Sequence, residues 1–224
     1  MGTLTLVRHG QASLGADDYD QLSALGRTQC LRLGQYWRAR GRRFDAVLTG
    51  TLKRHAQSFA AIAEGLDVRA ERLLWPGLNE YDSEALIRAI HDTELPSRPV
   101  NAEQVREHFR LLRQALLAWM RGDSAPEGMP SFAEFSAGVA SALAHVREQH
   151  ADADVLIVSS GGPISTAVGQ VLNAPLEAVI EMNMRIRNSA LTEFAVSPKR
   201  HALLSFNHLP HLDTPDAAAL HSYA

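Results

Sequence analysis

The run Val155-Leu156-Ile157-Val158 constrains this chain more than any other feature. Four consecutive large apolar residues, three of them β-branched, make a strand with no polar face. Such a strand must lie inside a sheet covered on both sides. Ser159-Ser160-Gly161-Gly162-Pro163 follows, with Pro163 suited to the first turn of a helix. Thr3–Val7 reads as a second strand and Phe44–Thr49 as a third, each leading into helical periodicity. Ser23 caps a predicted helix to about Arg40, with Cys30, Leu33 and Trp37 on one face and Gly41 at its end. Leu52–Glu64 reads as another helix, closed by Gly65. Ala190–Val196 and His201–Phe206 form a last pair of strands, joined by a turn at Ser197-Pro198-Lys199; the tail after Phe206 reads as irregular.

Strands alternating with helices predict an α/β protein, three layers deep, with a mostly parallel, doubly wound central sheet. The middle differs. Asn101–Arg121 carries Val105, Phe109, Leu112 and Leu116 at helical spacing, and Ser131-Phe132-Ala133-Glu134 is a capping box opening a further helix with Phe135, Val139 and Val146 inward. A helical insert over about residues 75–150 is expected within a single domain spanning 1–224, a length suited to one full core.

With 22 basic and 25 acidic residues, the net charge of -3 gives no basic surface for nucleic acid. No apolar run reaches the roughly 18 residues of a membrane span. The first residues lack the pattern of a signal peptide, and the lone Cys30 suits a reducing compartment. The expectation is a cytoplasmic protein without nucleic-acid or membrane partners.

Arg8 and His9 fall where a buried strand meets its loop, the edge at which open α/β sheets bind ligands. A guanidinium fork clamps two phosphate oxygens, and a neutral imidazole beside it is a competent nucleophile near pH 7. The dipeptide alone reads more readily as a surface Arg-His pair at a strand end. Arg54, in the first turn of the helix after the third strand, adds a second guanidinium and a helix N-terminus at the same edge, an anion pocket. Glu80, on the loop Leu78–Asp82, offers a carboxyl group to protonate a leaving oxygen, although most loop glutamates are merely solvated.

The chain resembles the histidine phosphatase superfamily, the phosphoglycerate mutase-like proteins. Leu6-Val7-Arg8-His9-Gly10-Gln11-Ala12 is similar to the family signature. Asp20–Gln29 resembles D-x-x-L-T-x-x-G-x-x-Q, Leu52–Ser58 resembles L-x-R-x-x-Q-T, Leu78–Glu80 resembles L-x-E, and Val158–Gly162 falls on V-S-H-G-G. The resemblance implies a phosphatase for small phosphate monoesters or a phosphoprotein. In it His9 takes the phosphoryl group, Arg8 and Arg54 hold its oxygens, Glu80 is the proton donor, and neither metal nor cofactor is needed. Ser160 and Gly161 would complete the phosphate site.

Three positions depart from the pattern. Ser160 stands where the family has its second histidine; a hydroxyl donates one hydrogen bond and brings no charge. It reads equally as a helix N-cap. Gly50 replaces a frequent serine, and His55 follows Arg54 where a small residue is usual. His55 either packs, faces solvent or lends an imidazole to the pocket. Two alternatives to the phosphatase therefore stand: a mutase-type phosphoryl transferase, and a catalytically weak protein that binds a phosphorylated ligand. His208 and His211 read as structural, as does Cys30; Trp37, Trp75 and Trp119 read as core or pocket wall.

Overall fold

The computed structural model describes residues 2–13, 20–91 and 101–223. Six strands form one mixed sheet: β1 (Gly2–Arg8), β2 (Ala46–Thr49), β3 (Leu73–Leu74), β4 (Asp154–Ser159), β5 (Leu191–Val196) and β6 (His201–His208), in the order β3-β2-β4-β1-β5-β6. β1, β2, β3 and β4 run parallel, whereas β5 is antiparallel to β1 and to β6. The Val155–Val158 run lies in the middle, between β1 and β2. Its alternate residues enter different cores: Val155 and Ile157 join one apolar cluster, Leu156 and Val158 the other. That two-sided burial, with all four residues inaccessible, accounts for the absence of a polar face.

Helices α1 (Ala24–Arg38) and α2 (Lys53–Leu66) cover one face. The other face packs against the cluster containing side chains of α3 (Ser83–Arg88), α4 (Ala102–Arg121), α5 (Phe132–Gln149), α6 (Gly161–Leu172) and α7 (Leu176–Arg185). The capping box at Ser131 and Glu134 forms, and Phe135, Val139 and Val146 are buried. On α4, Leu112 and Leu116 are buried while Val105 and Phe109 are exposed, so only the C-terminal half of that stripe packs among the described residues. Residues 92–100 of the expected insert lie outside the described residues.

Several local expectations change. Gly65 does not end its helix. The chain continues to Leu66 and is stopped by Asp67 in the left-handed region, φ 60°. Gly65 instead meets Gly34 of α1: a Cβ at Gly65 would lie 2.3 Å from the Leu31 carbonyl oxygen, and one at Gly34 2.1 Å from that of Ile62. The glycine pair lets two backbones touch. Helix α1 ends at Arg38, before Gly41. The tail is ordered in two short 3₁₀ turns, Pro210–Leu212 and Pro215–Leu220, and it packs back on the molecule: Gln29 Nε2 donates to the Leu220 carbonyl, at 2.6 Å, and Arg8 Nη1 to that of Tyr223, also at 2.6 Å. Among the described residues, no helix is long and apolar enough to cross a membrane.

Candidate active site

Because β1, β2 and β4 are parallel and adjacent, their carboxyl ends meet at one edge of the sheet. Arg8 and His9 leave β1 there, Gly50 and the start of α2 leave β2, and Ser160 follows β4. The loop holding Glu80 is tied to the same edge by Ser159 Oγ, which donates to the Leu78 carbonyl at 2.7 Å.

His9 is 4 % exposed. Its main chain is fixed from three sides. The His9 amide donates to the Ser159 carbonyl at 2.8 Å, while the Ser189 amide and Asn188 Nδ2 donate to the His9 carbonyl. The following amide, of Gly10, donates to Ser58 Oγ at 3.1 Å. The His9 ring places Nδ1 2.7 Å from the Gly10 carbonyl. A carbonyl only accepts, so Nδ1 carries the hydrogen and Nε2 keeps its lone pair. Burial holds the imidazole well below its ordinary pKa; the charges of Arg8 and Arg54, and His55 beside it, push the same way, against the Gly10 hydrogen bond. The ring is neutral at pH 7 and presents a nitrogen nucleophile.

The expected anion sites are already partly filled by carboxylates of this chain. At the start of α2, Asp20 Oδ2 accepts from the Lys53 amide at 2.8 Å, and Asp20 Oδ1 accepts from Arg54 Nη1 at 2.9 Å. Leu52, at the cap position, offers no side-chain bond, and Asp20 supplies it from elsewhere in the chain. So the α2 N-terminus, which the sequence assigns to the ligand, holds Asp20. At the start of α6, the Gly162 amide donates to both oxygens of Glu80, at 3.1 and 3.2 Å. Gly161 lies between Arg8 and Asn183: a Cβ added there would sit 3.8 Å from Arg8 Nε and 2.7 Å from Asn183 Oδ1. Glu80 is therefore no solvated loop acid. Burial raises its pKa, opposed by the Gly162 bond, by Arg54 and Arg8, and by the Tyr81 amide.

Ser160 occupies the N-cap position of α6 but makes no capping bond. Its Oγ lies 2.7 Å from His55 Nε2. Of the three readings open for His55, solvent exposure is wrong: the residue is fully buried, 5.9 Å from the His9 ring, centroid to centroid. No local signal in the sequence pairs residues 105 positions apart. Two motif glutamines are structural instead. Gln57 Oε1 accepts from the Leu22 amide, and Gln29 Oε1 from that of Gln11. His211 is also structural, buried with Nε2 2.9 Å from Ser189 Oγ.

A cavity of about 340 Å³ opens beside Glu80, with Tyr81, Met129, Pro130 and Phe135 in its walls. Among the described residues, its charged lining consists of Glu80, Asp82 and Glu134, with no arginine or lysine. Among the described residues, no group of three or more His, Cys, Asp or Glu side chains could hold a metal ion.

The family model described as Histidine phosphatase superfamily (branch 1) matches residues 4–209. Among solved structures, a phosphoserine phosphatase variant from Entamoeba histolytica, in complex with phosphoserine, is similar at 21 % identity and a TM-score of 0.65, covering 95 % of this chain and 100 % of its own. Bacillus stearothermophilus YhfR aligns at 19 % identity with a TM-score of 0.67, over 94 % of this chain and 99 % of its own. The mycobacterial glucosyl-3-phosphoglycerate phosphatase aligns at 19 % with a TM-score of 0.62, over 92 % and 98 %. No curated protein matches this sequence as a relative.

Proposed function

Since this chain belongs to the histidine phosphatase superfamily, we propose that it hydrolyses phosphate monoesters through a phosphohistidine formed on His9. One observation carries the reading. The neutral, buried His9 ring, hydrogen-bonded through Nδ1, aims its chemistry through Nε2 beside two arginines and a carboxyl group of raised pKa.

In the first step Nε2 attacks phosphorus and the bond to the ester oxygen breaks. Arg8 and Arg54 carry the charge of the equatorial oxygens. Glu80 gives its proton to the departing oxygen, which leaves as an alcohol. Glu80, now a carboxylate, takes a proton from water as the water oxygen attacks the phosphohistidine. The N–P bond breaks, phosphate leaves, and His9 and Glu80 regain their starting states. The Glu80 contact to the Gly162 amide steadies the carboxylate stage of that cycle.

The cavity beside Glu80 supports a leaving group that is neutral and partly apolar. The described lining is acidic and carries no basic residue, which disfavours a second anion, as in a bisphosphate or a phosphorylated carboxylic acid. This lining also weighs against mutase-type transfer between anionic phosphoesters. The test is turnover of an aryl phosphate, with acid-labile phosphate on the protein trapped by rapid quenching. The unsubstituted protein is expected to show both, and His9→Ala to lose roughly 10³-fold or more of the turnover together with the trapped phosphate. Turnover surviving in His9→Ala would refute the covalent step.

A further inference from the structure

One buried polar group beside His9 has no part in those steps. His55, in the first turn of α2, is 0 % exposed. Its Nε2 lies 2.7 Å from Ser160 Oγ, and its Nδ1 is buried without a hydrogen-bond partner. Together these locate the ring hydrogen. An orphaned buried N–H is rarer and costlier than an unfilled lone pair, so the hydrogen sits on Nε2 and the bare Nδ1 faces inward. His55 Nε2 then donates to Ser160 Oγ. The Ser160 oxygen accepts from His55 and not from an α6 amide, and the serine hydroxyl keeps its own hydrogen for another acceptor.

The space for this ring comes from position 50. A Cβ on Gly50 would lie 2.2 Å from His55 Nδ1 and 2.7 Å from Asn79 Oδ1. Gly50, His55 and Ser160 are thus one packed unit: the glycine leaves the volume, the imidazole fills it, and the serine meets the imidazole. Burial, reinforced by the charges of Arg54 and Arg72, pushes His55 down to about 3, so the ring stays neutral at working pH.

We propose that His55 and Ser160 form a hydrogen-bond relay to the transferring phosphoryl group, with Ser160 O–H donating to a phosphoryl oxygen and His55 as the residue that positions it. The inference rests on the phosphatase reading. No proton changes hands in the relay. The His55 bond fixes the hydroxyl rotor and polarises it, so that one preorganised donor meets the oxygens as they gain charge.

The experiment measures single-turnover phosphorylation of His9 by an aryl phosphate in Ser160→Ala, His55→Ala and the double variant, with KM and thermal stability alongside. Each single change is expected to slow the transfer by roughly 10- to 10²-fold with KM little altered. The double variant should be no slower than the worse single, since both act through one bond. His55→Gln, which retains an N–H donor, should recover part of the rate. Losses that multiply in the double variant, or a melting point that falls while the rate holds, would overturn the relay. If the cavity left by His55→Ala unfolds the protein, Gly50→Ser with His55→Ala refills it without an imidazole and takes its place. Independently of turnover, histidine ¹⁵N shifts should show His55 protonated on Nε2 and untitrated from pH 5 to 8; a hydrogen on Nδ1 overturns the bond direction. An unsubstituted protein inactive on a broad phosphate-ester panel overturns the functional reading and the relay with it. An active protein indifferent to Ser160→Ala overturns the relay alone.

Discussion

At Glu80, burial keeps the proton on, while the Gly162 amide and the charges of Arg54 and Arg8 pull it off. The balance is a raised pKa, so the acid form persists to higher pH than in an exposed glutamate. Raising the pH through that pKa removes the proton donor, and the loss matters only where the leaving oxygen needs a proton. Glu80→Gln should therefore slow an alkyl phosphate by roughly 10²-fold or more and an aryl phosphate far less, and should abolish the alkaline limb of the alkyl profile. Equal slowing of both substrates, in steady-state assays across pH, would remove Glu80 from the role. At Ser160, the family residue is the instructive replacement. An imidazole grafted there meets His55, already 2.7 Å from the serine oxygen. Ser160→His is expected to destabilise by about 1–3 kcal/mol through overpacking and to lower turnover. Adding His55→Ala should relieve both, as read by thermal melts and aryl-phosphate turnover; a fully active, fully stable single variant would show that the two side chains do not compete for space.

Helix α1 lies on α2 through Gly34 and Gly65, where a single added methyl meets a carbonyl oxygen of the partner helix at 2.1 or 2.3 Å. Alanine gains up to about 1 kcal/mol of helix propensity over glycine. A collision that close must displace a backbone and outweighs the gain. Gly34→Ala and Gly65→Ala are each expected to lower stability by about 1–3 kcal/mol, visible in the urea midpoint; a raised midpoint would refute the close crossing. The same crossing shows where sequence reading fails at this scale. A glycine near the end of a periodic segment reads as a stop, because C-caps favour glycine, while close helix contact leaves no different local mark. The long strands and capped helices were legible, since β1, β4 and the Ser131 capping box are marked by their own residues. The two-residue β3 and the short α3 were not, being too brief to show a period, and the ten-residue α7 opens after Pro175 with no side-chain cap to mark its start. The loop and helix that line the cavity beside Glu80 carry a further expectation. Its acidic, partly apolar wall should make the protein prefer a neutral aryl or alkyl phosphate to 3-phosphoglycerate by roughly tenfold or more in kcat/KM. The reverse preference would show that another face binds the leaving group.

Across the whole molecule, the meeting of Arg8, His9, Arg54 and Ser160 at one edge was legible because each lies at or just past the end of a strand or in the helix that follows it, and parallel strands deliver their ends to one edge. What joins them was not. Asp20 at the α2 start, Glu80 on the Gly162 amide and His55 on Ser160 are contacts over 33, 82 and 105 positions, made by the fold and not by local pattern. Those contacts also bring a cost that belongs to the entire structure. His9, His55 and His211 are buried as neutral imidazoles, the last two pushed down to about 3. In the unfolded chain the same rings titrate near 6.5. Between pH 6.5 and 3 the unfolded state therefore binds more protons than the folded one, and stability must fall as the pH falls through that window. At about 1.4 kcal/mol per pH unit for each ring, His55 and His211 each withdraw several kcal/mol by pH 3, and His9 acts in the same direction, against a total of roughly 5–15 kcal/mol for an ordinary domain. Glu80 acts in the opposite direction, since its raised pKa favours the folded state in acid, but it is one group against three. The urea midpoint should hold from pH 8 to 7, decline from about pH 6.5 and drop steeply below 5. In His211→Asn, which removes one ring distant in sequence from His9 and His55, the decline should be shallower. A midpoint unchanged between pH 7 and pH 4 would show that these histidines are not held neutral by burial, and the tautomers of His9 and His55 would have to be assigned afresh.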